Sequence, residues 1–157
     1  MEQDNLLAQY KQIVQSRLDT LTAPLVPELA VIAQAQQPEE TYLLNFEVHT
    51  DGFAEGFPVL WEPLSAEMDQ LEDRIVLLPT LASTLPGEIV NEGIYGEAGI
   101  NPWDTAFQML VVWFGKCWHK AGGTKCAYPA YICQHDAIES YDLRHLKWVP
   151  DDAKWPS

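Results

Sequence analysis

All three cysteines and two of the four histidines lie within residues 116–136, KCWHKAGGTKCAYPAYICQHD. Thiolates and imidazoles are zinc ligands, and a thiol beside a base is the starting point for covalent catalysis. Cys117, His119, Cys126, Cys133 and His135 therefore raise two chemistries, metal binding and thiol nucleophilicity. Spacing prunes both. Cys117 and His119 are two apart on a predicted helix, about 200° around its axis, and cannot share an ion unless the helix ends first. Cys133 and His135 are two apart on a predicted strand and share a face. A metal set of Cys126, Cys133 and His135 with one helix residue remains, but it has neither CxxC nor HExxH spacing. Neither Cys117 beside His119 nor Cys133 beside His135 has an evident oxyanion site or third orienting group. Buried structural cysteine accounts better for all three, so no metal and no cofactor is expected.

A second constellation is Glu47, His49 and Asp51, at alternate positions before a predicted turn. On a strand they share one face, which suits a metal or an acid/base pair. Polar residues on the outward face of a half-buried strand give the same pattern with no site at all. As a surface, that acidic hairpin is a docking candidate for a basic partner.

The elements that must position these residues are legible in part. Leu6, Tyr10, Ile13, Val14, Leu18 and Leu21 predict an amphipathic helix over 4–21, with Asp4 as its cap. Pro24 and Pro27 break it, and a short second helix is expected from Pro27 to about Gln36. TYLLNFEVHTDGFAEGFPVLW predicts a hairpin over about 41–61 on the Asp51-Gly52 turn. Pairing Thr50 with Phe53 sets Phe46 opposite Phe57, Leu44 opposite Val59 and Tyr42 opposite Trp61. In that register the N–H that Pro58 lacks points away from its partner, which predicts a sheet edge along 53–61. Ser65 is placed to cap a helix through Glu67, Met68, Leu71 and Asp73, followed by a short apolar segment, IVLLP. Four glycines between Pro86 and Pro102 leave at most a short helix near 88–95.

Asn101-Pro102 opens a helix over about 102–120, with the stripe Trp103, Phe107, Leu110, Val111, Phe114 and Trp118, and Ala121-Gly122-Gly123 stops it. A central, buried position is expected for it. AYICQHD, IESYDL and KWV then predict a meander over about 130–149. The element order is not alternating βαβ, so the expected class is α+β, an antiparallel sheet packed against helices in one domain, 1–157.

Function classes are narrowed by charge and by missing motifs. The chain has 157 residues and a formal net charge of −14. Residues 18–115 hold 16 Asp and Glu against one base, Arg74, so the acidity is concentrated in the middle. Such a field repels nucleic acid and anionic membrane and steers a basic protein. P-loop, GxGxxG and GxSxG motifs are absent, and neither a signal peptide nor a membrane span is expected. Three thiols cannot all pair within one chain, which predicts a reducing, cytoplasmic setting. In size, acidity and lack of catalytic signature alone, the chain is similar to small cytoplasmic immunity proteins that neutralise basic toxins. The expected function is accordingly a non-enzymatic, acidic binding protein for a basic partner, of immunity or antidote type. The expected contact residues are Glu47, His49, Asp51, Glu55, Glu67, Asp69, Glu72 and Asp73. The alternative is a small hydrolase or metal-dependent enzyme using the Cys/His cluster of residues 117–135, or Glu47, His49 and Asp51.

Overall fold

In the computed structural model, residues 2–49, 59–77, 97, 99, 101–135 and 137–156 are described. Among these residues two long helices lie on one face of a six-stranded mixed sheet, an α+β arrangement. The elements are α1 (Glu2–Gln34), β1 (Thr41–Val48), β2 (Val59–Ser65), β3 (Ile75–Leu77), α2 (Pro102–Lys120), β4 (Ala130–Gln134), β5 (Glu139–Asp142) and β6 (Lys147–Pro150). Short 3-10 turns follow α2 at Gly123–Lys125 and β6 at Asp151–Lys154. No helix among the described residues is long and apolar enough to cross a membrane.

α1 corrects the expected break at Pro24 and Pro27, because the helix runs through both prolines. Each proline removes one hydrogen bond from the ladder. Tyr10, Val14, Leu18, Leu25 and Leu29, all fully buried, continue the helical stripe across the interruption, and their packing offsets that loss. Asp4 consequently sits inside a helix that starts at Glu2 rather than capping it. α2 begins where Asn101 Oδ1 accepts the Asp104 N–H at 3.1 Å, with proline in the first turn. It ends at Lys120 with Ala121 as its cap, and the next residue, Gly122, has a left-handed φ of 84°. Trp113 Nε1 donates to Thr22 Oγ1 at 2.9 Å and ties the two helices together.

The sheet order is β3-β2-β1-β4-β5-β6, and its one parallel pairing is the central one, β1 with β4. β4, β5 and β6 are consecutive antiparallel neighbours. Leu44, Phe46 and Val48 of β1, Val59 and Trp61 of β2 and Ile132 of β4 face the helices. Phe46 lies at the centre of this core, its ring 5.1 Å from Phe114 and 5.6 Å from Trp118.

The hairpin departs from its expected register. Leu44 pairs with Pro63, Phe46 with Trp61 and Val48 with Val59, four positions along from the expectation. An even slip keeps every side chain on its own face, so alternation alone cannot reject it. The observed register instead stacks Phe46 on Trp61 at 6.2 Å. The expected edge along 53–61 does not hold over 59–61, where β2 is flanked by β1 and β3, and among the described strands the outermost are β3 and β6; the stretch around Pro58 lies outside the described residues. Proline still sets a limit here, but the residue responsible is Pro63. Leu44 donates its N–H to Pro129 O at 2.9 Å, so its pairing with Pro63 carries no hydrogen bonds and the Pro63 nitrogen points away from β1. β3 pairs only with Val59, Leu60 and Trp61 and stops before reaching that proline.

The expected helix after Ser65 is absent. Ser65 ends β2, and its Oγ accepts the N–H groups of Glu67 and Asp69 at 3.2 and 3.1 Å. The capping chemistry is used in a turn, which Met68 at φ 68° prevents from propagating as a helix. The Asp51-Gly52 turn, the Thr50/Phe53 pair, Phe57, Pro58 and any helix near 88–95 lie outside the described residues.

Candidate functional site: the outer face of the sheet

The face turned away from the helices carries the polar residues. Odd positions of β1 and β4 and even positions of β2 and β5 point there, bringing Asn45, Glu47, Glu62, Cys133 and Ser140 onto one surface. Parallel pairing sets Glu47 beside Cys133, and His135 donates its backbone N–H to Val48 O at 2.9 Å. Continuing that register places His49 alongside His135, one step beyond Glu47 on the same face. Their rings stack with centroids 4.7 Å apart and planes 24° apart. Glu47 Oε1 lies 2.6 Å from His135 Nδ1, 3.0 Å from His49 Nε2 and 3.5 Å from an Arg74 guanidinium nitrogen. Arg74 also donates through Nε to Glu62 Oε2 at 2.9 Å. That hydrogen bond is the main reason its guanidinium is held above its ordinary pKa.

Beside this corner opens a pocket of about 360 Å³. Asn45, Glu47, Glu62 and Cys133 line it together with Arg74 and Lys154. The ammonium of Lys154, on a buried side chain, lies 2.8 Å from Asp151 Oδ1 and donates to Asn45 Oδ1 at 3.2 Å. It also lies 5.7 Å and 5.6 Å from the ring centroids of Tyr131 and Trp155, within reach of a cation–π contact. Burial raises the Asp151 carboxyl, but hydrogen bonds from Lys154 and Ser140 outweigh it and hold the group below its ordinary range. Asp142 behaves alike: burial is opposed by the His145 side chain and by the backbone N–H groups of His145 and Arg144, and its carboxyl is lowered.

The five Cys/His candidates of residues 117–135 do not converge. Cys117 and Cys126 belong to the core between helices and sheet, whereas Cys133 lies on the outer face with its Sγ 3.9 Å from Asn45 Oδ1. His119 Nε2 meets the Leu143 carbonyl at 2.8 Å. The set Cys126, Cys133 and His135 is thus split between the two faces of the sheet and shares no ion. A thiolate nucleophile is also disfavoured, because burial pushes the Cys117 and Cys133 thiols up to about 11.

Among the described residues, one group of three His, Cys, Asp or Glu brings its ligand atoms within 4.8 Å of one another: Glu47, His49 and His135. It takes two members from the strand constellation and one from the cysteine-rich stretch, two motifs that sequence alone keeps apart. Glu67, Asp69, Glu72 and Asp73 are exposed in the β2–β3 connection, and Met68, Gln70 and Arg74 of that connection line the pocket. Asp51 and Glu55 lie outside the described residues. Sequence reasoning missed Asn45, Glu62 and Lys154. The available signal for Lys154 was its setting in DDAKWP, a base three residues after an acid and next to a tryptophan. Compared with known proteins, the chain matches no family model, no curated protein and no solved structure.

Proposed function

We propose that the chain is a non-enzymatic binding protein that receives a basic protein partner on the outer face of its sheet. The observation that carries this reading is the β2–β3 connection, which presents Glu67, Asp69, Glu72 and Asp73 to solvent next in sequence to Met68, Gln70 and Arg74 of the polar pocket. The nearby cation, Arg74, is already engaged by Glu62 and Glu47 and does not neutralise those exposed acids. Met68 and Val76 are exposed beside these carboxylates and supply apolar contact area. Carboxylates at a rim accelerate encounter and select partner charge, while apolar side chains at the centre supply most of the affinity. The same field disfavours nucleic acid and anionic membrane as ligands. Neutralising a basic toxin, as an immunity or antidote factor in a reducing cytoplasm, is the specific form of this reading, and the three unpaired thiols support that compartment.

The test is capture on the immobilised full chain at low salt, with the retained proteins identified by mass. A retained protein of net positive charge is expected, released at about 0.5 M salt, where the screening length falls to roughly 4 Å. The fourfold variant Glu67→Lys, Asp69→Lys, Glu72→Lys, Asp73→Lys alters exposed positions only and should not retain it. Recovery of no basic protein, or of one that neither salt nor charge reversal releases, overturns the reading.

A further inference from the structure

We infer that Glu47, His49 and His135 form a binding site for a divalent first-row transition-metal ion, held on the outer face where β1 and β4 run parallel. This inference is independent of the docking reading. Two imidazoles and one carboxylate are a donor set suited to zinc, iron, nickel and cobalt, and three protein ligands leave a coordination position open to solvent. The three ligand atoms lie within 4.8 Å of one another, converging on one point from two strands.

Coordination at about 2.0–2.1 Å in a tetrahedron separates ligand atoms by roughly 3.3 Å. The separation from Glu47 Oε1 to His49 Nε2 is already 3.0 Å, and that to His135 Nδ1 is 2.6 Å. The second separation is a hydrogen-bond length. Metal entry therefore exchanges the Glu47–His135 hydrogen bond and the Glu47–His49 contact for three metal bonds: the His135 proton moves to Nε2, the ring stays neutral, and the carboxylate opens by a fraction of an ångström.

The backbone supplies the preorganisation. Glu47 lies in β1 and His49 directly follows the strand's last residue, Val48, whose carbonyl accepts the His135 N–H and so fixes the two chain segments in register. Electrostatics also favour a cation. Arg74 faces the site at 3.5 Å but is shared with Glu62, so Glu47, Glu62 and Arg74 together carry one net negative charge. The side chains of Glu47, His49 and His135 are 14%, 21% and 39% exposed, covered enough to limit competition from water and open enough for an ion to enter.

The experiment titrates untagged, chelator-treated full chain with zinc sulfate by calorimetry, and with cobalt(II) by visible absorption. One equivalent is expected to bind, with cobalt giving ligand-field bands of low-symmetry nitrogen and oxygen coordination. His49→Gln and His135→Gln should each weaken zinc by more than the roughly 10- to 100-fold that follows loss of a mere supporting contact. His145→Gln, at the other histidine beside a carboxylate, should leave the affinity unchanged. Should a variant fail to fold, histidine ring resonances of the wild-type chain provide a second readout: two of the four should shift at one equivalent. No stoichiometric binding, binding that survives both site substitutions, or shifts at His119 or His145 instead would overturn the inference.

Discussion

Replacing Lys154 by methionine isolates the energetics of the polar pocket. Methionine retains the aliphatic stem and removes the charge and all three donors. The lysine side chain is 3% exposed, and its ammonium is shared by Asp151 at 2.8 Å and Asn45 at 3.2 Å. After the substitution the buried Asn45 oxygen keeps, among the described residues, only the Cys133 thiol, a weak donor at 3.9 Å. Asp151 retains the Ser140 hydroxyl at 2.7 Å and, with its side chain 39% exposed, recovers water. Breaking a fully buried ion pair costs about 3–5 kcal/mol, whereas losing a hydrogen bond to a charged group costs about 1.5–3 kcal/mol. Exposure of Asp151 selects the lower range, so Lys154→Met should destabilise the chain by about 2 kcal/mol. For a chain of this length that lowers Tm by about 4–8 °C. Thermal unfolding by circular dichroism and urea unfolding by tryptophan fluorescence give the two measures. Asp151→Asn alone should cost less, and the double variant should be more stable than the sum of the single effects by about 1 kcal/mol. A Lys154→Met chain within about 0.5 kcal/mol of wild type, or strict additivity in the cycle, would refute the claim that this ammonium is held by the pocket.

Two further outcomes are expected. At the end of α2, a Cβ on Gly123 would lie 2.2–2.3 Å from the buried Trp118 ring, while one on Gly122 meets nothing within 4 Å but must adopt φ +84°. Gly123→Ala should therefore cost about 3 kcal/mol or prevent folding, and Gly122→Ala about 1–2 kcal/mol, an order that urea midpoints will check. At alkaline pH, Cys133 remains protonated in the folded chain to about 11. The unfolded thiol ionises near 9, so the folded state binds more protons in that window and stability must fall as pH rises through it. Maleimide or iodoacetamide labelling of native Cys133 at pH 8 should run about 100-fold slower than in urea-unfolded chain, following the thiolate fraction.

Legibility in the sequence followed the range of the determining interaction. α2 was readable because Asn101-Pro102 and Gly122-Gly123 act on their own neighbours. The continuity of α1 was not, because the buried contacts of Leu25 and Leu29 override the local message of Pro24 and Pro27. Alternation showed that Phe46 faces the core and Glu47 faces away, yet it could not choose between registers that differ by an even slip. Pairing of β1 with β4 left no local trace at all. For that reason Glu47 and His49 could be placed on one face from sequence, while the arrival of His135 beside them could not. Lys154 went unnoticed for a related reason: a lone lysine in an acidic tail reads as solvated, and only the tertiary approach of Asn45 and Tyr131 buries it.

The parallel seam also governs how the chain assembles. β1, β2 and β3 follow one another along the chain, as do β4, β5 and β6, so each trio can zip from short-range contacts. Joining them brings Leu44 to Ala130, positions 86 apart, and closing a loop of that size costs about 4 kcal/mol of chain entropy. Registration of β1 against β4 is therefore expected to be a late, slow event in folding. Glu47, His49 and His135 straddle that junction. In stopped-flow refolding, capture of a coloured ion such as cobalt(II) should lag behind the recovery of helical signal and report when the two trios have joined.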